Sequence, residues 1–284
     1  FHSNPFVSRA YGFDRGFDVF DDDLHLGQHK LIALAQRALD KFRNRHYARA
    51  EEINERSLNW IDSLNDGESF FLWNHYMDTH GPYEPPGEYA TLYSDQGLSG
   101  RDAQSLYQRV IDDPESITEE EQQLLIDLYD AEIRYYDEYI GAFLNKLRER
   151  GLLERSLLIV TADHGEALHD RGIYGHAAGN DRYSYDSTRD YMYEELLHVP
   201  LLVREPNKPS QRVRSPFSLL WLHELIAEIA DLEPGNFRRT SERQNHCKPS
   251  TDSIIMADAM SSDGHTIAVR QGSLKWISEC IGGE

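Results

Sequence analysis

What this chain has little of already narrows its chemistry. Two cysteines, Cys247 and Cys280, are too few for a disulfide framework or a cysteine-rich zinc site. Lysine is scarce: 6 of the 29 basic residues, the other 23 being arginine. Against 49 acidic residues this leaves a net charge of −20, which repels nucleic-acid phosphates and anionic lipid and argues against both as partners. High acid content with so little lysine resembles the composition of proteins from salt-adapted organisms. Long apolar runs are missing too. The longest, such as Leu157–Val160 and Leu219–Leu222, fall far short of the ~18 residues a membrane span needs. There is no Gly-x-Gly-x-x-Gly, no P-loop and no Gly-x-Ser-x-Gly elbow, so nucleotide binding and the common serine-hydrolase chemistry are unsupported. No charged-then-apolar leader opens the chain, and its start at Phe1 leads us to expect a processed or truncated product.

What is present suits a globular domain. A chain of 284 residues with 39 % hydrophobic composition can bury roughly three quarters of the surface its unfolded form exposes. We expect one domain over residues 1–284, without internal repeats. Residues 1–25 are aromatic and punctuated by glycine, which reads as loop. From about Gln28 to Leu64 apolar residues recur at three- and four-residue steps, which predicts a helix. Ser69–Met77 is a short apolar and aromatic run of strand length, followed by the loop "DTHGPYEPPGEY". Residues 94–116 read as a polar surface excursion.

The clearest helix begins at Thr118, whose pairing with Glu121 forms a capping box ahead of three consecutive glutamates. Its expected buried stripe is Leu124, Leu125, Leu128, Ile133, Tyr136, Ile140, Phe143, Leu144 and Leu147, closed by Gly151. "SLLIVTADHGE" then supplies an apolar strand ending at Asp163, of the kind buried on both faces in a parallel sheet. "LLHVPLLVREP" gives another strand, residues 217–233 another helix, and "HTIAVRQGSLKWIS" two strands joined at Gln271–Gly272. Strands separated by long helices predict an α/β fold: a doubly wound, mostly parallel central sheet with helices on both faces. Ligand chemistry then belongs at the carboxyl ends of the strands.

Two strand ends carry unusual polar sets. Asp78, Thr79 and His80 follow the first, with Pro82 fixing the loop; Asp163, His164 and Gly165 follow the second. Adjacent Asp and His offer a carboxylate oxygen and an imidazole nitrogen to one metal ion, with Gly165 allowing a sharp turn beside them. Taken alone, such a pair is more often a turn with a capping Asp. His176 lies in a Gly-flanked loop 12 residues beyond His164, and a lone loop histidine is usually only solvated. His169 sits five residues after His164, about 140° round a helix, so the two are not a helical zinc motif.

Taken in order, "HYMDTHGPYEPP", the run from "YDAEIRYYDEYIGAFL" to "TADHGEALHDRGIYGH", and "YEELLHVPLLV" resemble the sulfatase family of the alkaline phosphatase superfamily. The resemblance covers most of the chain and is weakest at 94–116, 179–190 and 234–251. It implies an alkaline-phosphatase-like fold, here incomplete, and cleavage of a sulfate ester in a small molecule or carbohydrate. It makes Asp163 and His164 ligands of a divalent cation, Ca²⁺ first, with Mn²⁺ or Zn²⁺ suited by the imidazole. His80 matches a strand-end histidine that contacts the sulfate or its leaving oxygen, and His176 a more loosely matched anion-binding position. Asp78 reads as orienting His80 or capping its loop ahead of a metal role, Tyr83 and Trp73 read as packing residues, and Asp137 as a buttress of the metal strand.

The family's nucleophile, a Cys or Ser converted to formylglycine in a Cys/Ser-x-Pro-Ser-Arg motif, does not occur before His80, nor does the Asp pair that accompanies it. "CKPST" at Cys247 has Thr in place of Arg and lies in a polar stretch after the Asp-His pair, so we read it as coincidence. The chain therefore reads as a fragment that on its own holds calcium weakly and turns over no aryl sulfate. Two other readings stand beside it: a phosphoester or phosphonate hydrolase of the same superfamily, and a non-catalytic sulfatase-like module. Residues 179–190 read as a substrate-facing lid or an exposed insertion.

Overall fold

The structure, a computed structural model, describes residues 1–22, 47–98, 100–176, 192–232, 254–260 and 264–281. Part of the expected 28–64 helix, the 179–190 segment and the stretch holding Cys247 lie outside the described residues. The chain divides into two compact units, Phe1–Val110 with Ser116–Arg150, and Ile111–Glu115 with Gly151–Glu284.

In the first unit, helix α1 (Ala50–Asp62) buries Ala50, Ile53, Asn54, Ser57 and Ile61, one stripe at three- and four-residue steps. Its first amide is capped from a distance: Ala50 N–H donates to the Asp78 carboxylate at 3.1 Å. The side-chain amide of Asn54 donates to the Tyr139 carbonyl at 3.0 Å, tying α1 to helix α3. Helix α2 (Arg101–Asp112) buries Ala103, Leu106 and Val110. That periodicity sits within the stretch expected to be a polar surface excursion, where polar residues between the apolar ones hide it.

Helix α3 (Glu119–Glu149) forms as the capping box requires. Glu121 N–H donates to Thr118 Oγ1 at 3.2 Å, and Thr118 N–H to the Glu121 carboxylate at 3.1 Å. Lys146 and Arg148 complement the negative end, and Gly151 at φ 64° closes it in the left-handed region. The expected stripe needs one correction. Burial falls on Leu125, Leu128, Ala131, Glu132, Tyr135, Phe143 and Leu147, while Ile133 is exposed. Glu132 takes the place that an apolar count would deny it.

Residues 70–77, expected as a strand, join no ladder among the described residues; His75 N–H donates to the Phe1 carbonyl at 3.0 Å instead. The chain then turns at Asp78 and passes a cis Gly81–Pro82 bond. Trp73 and Tyr83 pack as expected: Trp73 stacks near His2 and Phe17, and Tyr83 is buried edge-on to Tyr107 and Tyr129.

In the second unit, β1 (Leu158–Thr161) is followed by a short hairpin, β2 (Ala167–Leu168) and β3 (Tyr174–Gly175). A single-turn helix α4 (Glu194–Leu197) leads into β4 (Leu201–Arg204). Helix α5 (Leu222–Ile229) ends well before Pro234. The antiparallel sheet β5 (Ile254–Met260), β6 (Gly264–Gln271) and β7 (Leu274–Ile281) completes the unit, the β6–β7 pair being the expected one. Arg270 and Lys275 on this sheet both engage Glu194 of α4, Lys275 at 2.7 Å.

The mostly parallel sheet is not what the described strands display. Every ladder among them is antiparallel, and β1 pairs with β4 in the register Leu158↔Arg204 to Thr161↔Leu201. An apolar run does not encode the direction of its neighbour, nor is this one buried on both faces among the described residues: Leu158–Val160 are half-buried and Leu202 and Val203 of β4 are exposed. The described part of the β1–β4 connection holds a hairpin and one helical turn rather than a crossover helix, and that suits an antiparallel return.

Candidate functional site

At the end of β1 the Thr161 hydroxyl donates to the Pro200 carbonyl at 2.9 Å, fixing the last strand residue against the approach to β4. The chain then leaves the sheet through Asp163, His164, Gly165 and Glu166. Gly165 N–H donates to the Leu196 carbonyl at 2.8 Å, so this turn lies directly against α4. A Cβ on Gly165 would stand 1.9 Å from the Glu195 carbonyl oxygen. Glycine is required here because the backbones approach so closely, not because the residue needs a left-handed turn.

Asp163 and His164 are both exposed and adjacent. The Asp163 carboxylate accepts the His164 backbone N–H at 3.0 Å, which fixes the carboxyl group beside the ring. The Nδ1–H of His164 donates to the Gly165 carbonyl at 2.7 Å. That bond selects the tautomer with its lone pair on Nε2, the atom 3.8 Å from Asp163 Oδ1. A backbone carbonyl on the far nitrogen is the usual way of orienting a metal-binding imidazole.

His176 arrives from the end of β3, its ring centroid 4.2 Å from that of His164 and tilted by 35°. Its Nδ1–H donates to the Glu166 carboxylate at 3.3 Å. The hydrogen bond to Glu166 raises the His176 pKa above its ordinary value; burial opposes this, and the charges of Glu166 and Asp163 reinforce it. Glu166, with a side chain only 5 % exposed, joins the candidate site and was not singled out from the sequence. The signal was present in the "DHGE" run, but nothing in it says that the chain returns at residue 176. Gly175, at φ 69°, leaves room for this carboxylate: a Cβ there would lie 3.3 Å from Glu166 Oε1.

Three of the four expected site residues, Asp163, His164 and His176, thus meet in the second unit. As a metal site they are incomplete. Among the described residues no group of three or more His, Cys, Asp or Glu could hold an ion, whereas calcium takes six to eight oxygens. The arrangement places an imidazole whose protonated form Glu166 favours beside an oriented carboxylate–imidazole pair.

His80 belongs to the first unit and is half-buried. Its backbone N–H donates to the Met77 carbonyl at 3.0 Å and its Nδ1–H to the Gly81 carbonyl at 2.7 Å, which together hold the ring in place. Tyr47 lies edge-on to the ring at 5.4 Å. Asp78 is buried as the helix cap of α1. Asp137 is no buttress within its own unit: its side chain is 80 % exposed and pairs with Arg134 at 3.6 Å. No described helix is long and apolar enough to cross a membrane.

Comparison with known proteins gives these residues a context. The sequence model of the Sulfatase family matches residues 5–233. Arylsulfatase K of Xenopus laevis is 29 % identical over 173 residues, covering 60 % of this chain and 29 % of its own. Choline-sulfatase of Rhizobium meliloti is 23 % identical over 246 residues, covering 79 % and 46 % respectively. Among solved structures, a Bacteroides fragilis protein assigned as a sulfatase superposes with a TM-score of 0.59 at 18 % identity, over 84 % of this chain and 52 % of that one. The phosphonate monoester hydrolase of Silicibacter pomeroyi gives 0.57 at 22 % identity, over 81 % and 52 %. These structures share the alkaline-phosphatase-like fold, and the chain spans about half their length and less than half that of the curated relatives. On the match over residues 5–233, this chain is a member of the sulfatase family.

Proposed function

We propose that this protein hydrolyses a sulfate ester of a small molecule or carbohydrate. The observation that carries the reading is the pairing of His176 with His164 and Asp163 at the end of β1, in a chain of the sulfatase family. Relatives named for aryl, choline and steryl sulfates support the substrate class. A sulfate ester is anionic, and negative charge grows on the leaving oxygen as the S–O bond breaks. Donors aimed at that oxygen stabilise the transition state more than the ground state. His176, whose protonated form Glu166 favours, is suited to that task, and the reading of His80 as a group that contacts a sulfate ester rests on the family match. With a net charge of −20 the protein's far field opposes an anionic substrate, so these local donors must carry recognition.

Asp163 and His164 are, in this proposal, two ligands of a divalent cation, calcium first. The remaining ligands and a formylglycine nucleophile come from sequence other than these 284 residues. The doubly wound, mostly parallel sheet belongs to the same proposal: superfamily sheets of that type tolerate an antiparallel strand, and the β1–β4 pair is compatible with one.

A second reading, hydrolysis of phosphonate or phosphate esters, is favoured by the likeness to phosphonate monoester hydrolases and by an imidazole at position 164, which suits transition metals. Assaying the full-length protein on an aryl sulfate and the matching aryl phosphonate, with and without added Ca²⁺ or Mn²⁺, decides between them. We expect a higher kcat/KM on the sulfate; a preference for the phosphonate with Mn²⁺ would install the second reading.

A further inference from the structure

The loop that carries His80 is held at both ends by a buried ionic cluster. At its start, Asp78 Oδ1 accepts the Ala50 N–H at 3.1 Å and lies 3.8 Å from Arg49 Nη1. At its end, both backbone groups of Glu84 are taken: its N–H donates to Glu132 Oε1 at 3.0 Å, and its carbonyl accepts from Arg49 Nη2. Arg49 Nη1 donates to Glu132 Oε2 at 2.7 Å and closes the circuit, its guanidinium resting over the Tyr135 ring. Between the two anchors the loop is packed from outside, since a Cβ on Gly81 would meet the Tyr107 ring at 2.1 Å.

We propose that Arg49, Asp78 and Glu132 are positioning residues that set the place of the His80 imidazole by fixing residues 78–84 at both ends. This rests on the reading of His80 as a group that contacts the sulfate ester. The argument is one of energetics. A buried ion cluster contributes little net stability, because desolvation offsets its Coulombic gain. What it does supply is direction: each charged hydrogen bond fixes an angle as well as a distance. Here the bonds run to the flanks of the six residues from Asp78 to Tyr83 that include His80. The charge count makes the cluster sensitive to its protons. One guanidinium faces two carboxylates with side chains 1 % exposed or less, and Asp78 Oδ2 has no hydrogen-bond partner among the described residues. The other titratable groups facing it are Glu51 from α1, Tyr136 from α3 and Tyr76 from the loop's own segment. Burial pushes both carboxylates up, Asp78 to about 6 and Glu132 to about 7, against the pull of Arg49.

The test uses the full-length enzyme with Glu132→Gln, His80→Ala and the double variant, assayed on an aryl sulfate. NMR of the labelled histidine rings is recorded in parallel. A misplacement of about 1 Å can cost up to ~10²-fold in rate, so we expect Glu132→Gln to lower kcat/KM by about tenfold or more. In the His80→Ala background the same change should cost less than about twofold, because the cluster acts through that ring. The His80 ring signals should move in Glu132→Gln. Equal losses with and without His80, or unmoved ring signals, would overturn the proposal. Should His80→Ala prove fully active, it is the functional reading of His80 that fails, and the ring signals alone then decide the positioning role. If Glu132→Gln does not fold, Asp78→Asn, which keeps an oxygen for the Ala50 amide, takes its place with the same readouts.

Discussion

Gly165→Ala adds one methyl group at the most crowded backbone position in the candidate site. The new carbon would lie 1.9 Å from the Glu195 carbonyl oxygen, and ordinary contact begins at 3.4 Å, so the turn and α4 must separate by 3.4 − 1.9 = 1.5 Å. The obstacle is backbone, which cannot swing aside as a side chain would. Such separation also breaks the 2.8 Å hydrogen bond from Gly165 N–H to the Leu196 carbonyl. Overpacking of this kind costs typically 1–3 kcal/mol, and a backbone obstacle places this case at about 3. At roughly 2–4 °C per kcal/mol, the Tm should fall by about 6–12 °C.

Gly141 provides the control within the same molecule. It sits exposed inside α3 with nothing within 4 Å of a built Cβ. Gly141→Ala should therefore stabilise by about 0.5–1 kcal/mol, the helix-propensity difference alone. Thermal denaturation of the two variants beside the parent protein reads both effects. Equal Tm shifts for the two substitutions, or a Gly165→Ala protein melting with the parent, would show that the β1 turn does not lie against α4.

Other outcomes follow from the same geometry. Thr118→Ala removes one arm of the capping box and should cost about 1 kcal/mol in denaturant unfolding, with an unchanged m-value. Glu166→Gln deprives His176 of its charged partner and should lower kcat on a sulfate ester about tenfold while leaving KM closer to the parent value. The buried carboxylates also fix a pH trend. With native pKa values of about 6 for Asp78 and about 7 for Glu132, both above the unfolded values of 3.8 and 4.5, the native state holds protons that the unfolded chain has released. Stability therefore falls as pH rises between about 4 and 7, by on the order of 3 kcal/mol for each carboxylate. Asp78→Asn with Glu132→Gln should flatten that slope in urea titrations at pH 5 and pH 8.

Local signals were the most legible part of this chain. The capping box at Thr118, the glycine stop at Gly151 and the hairpin at Gln271–Gly272 each depend on residues within a few positions, and each formed as read. Strand direction was not legible, because an apolar run such as Leu158–Thr161 looks the same beside either neighbour. Burial of charge escaped for a related reason. Glu132 lies on the inner face of α3 because Arg49 and the Glu84 amide, 83 and 48 residues away, meet it there. Asp163 and His164 could be picked out by their place at a strand end, whereas the meeting of His176 with Glu166 is made by a hairpin return that no periodicity encodes.

The most direct measurement compares sulfate-ester hydrolysis by the full-length enzyme with that of four single variants: His80→Asn, Asp163→Asn, His164→Asn and His176→Asn. Losing one preorganised donor at a developing oxyanion typically costs about 10²–10³ in kcat. The account predicts a loss of that order for His176→Asn and His80→Asn, and for the Asp163 and His164 variants a loss accompanied by weaker binding of the divalent cation. Parent-like turnover in the His176 variant, or unchanged cation binding in the other two, would contradict it.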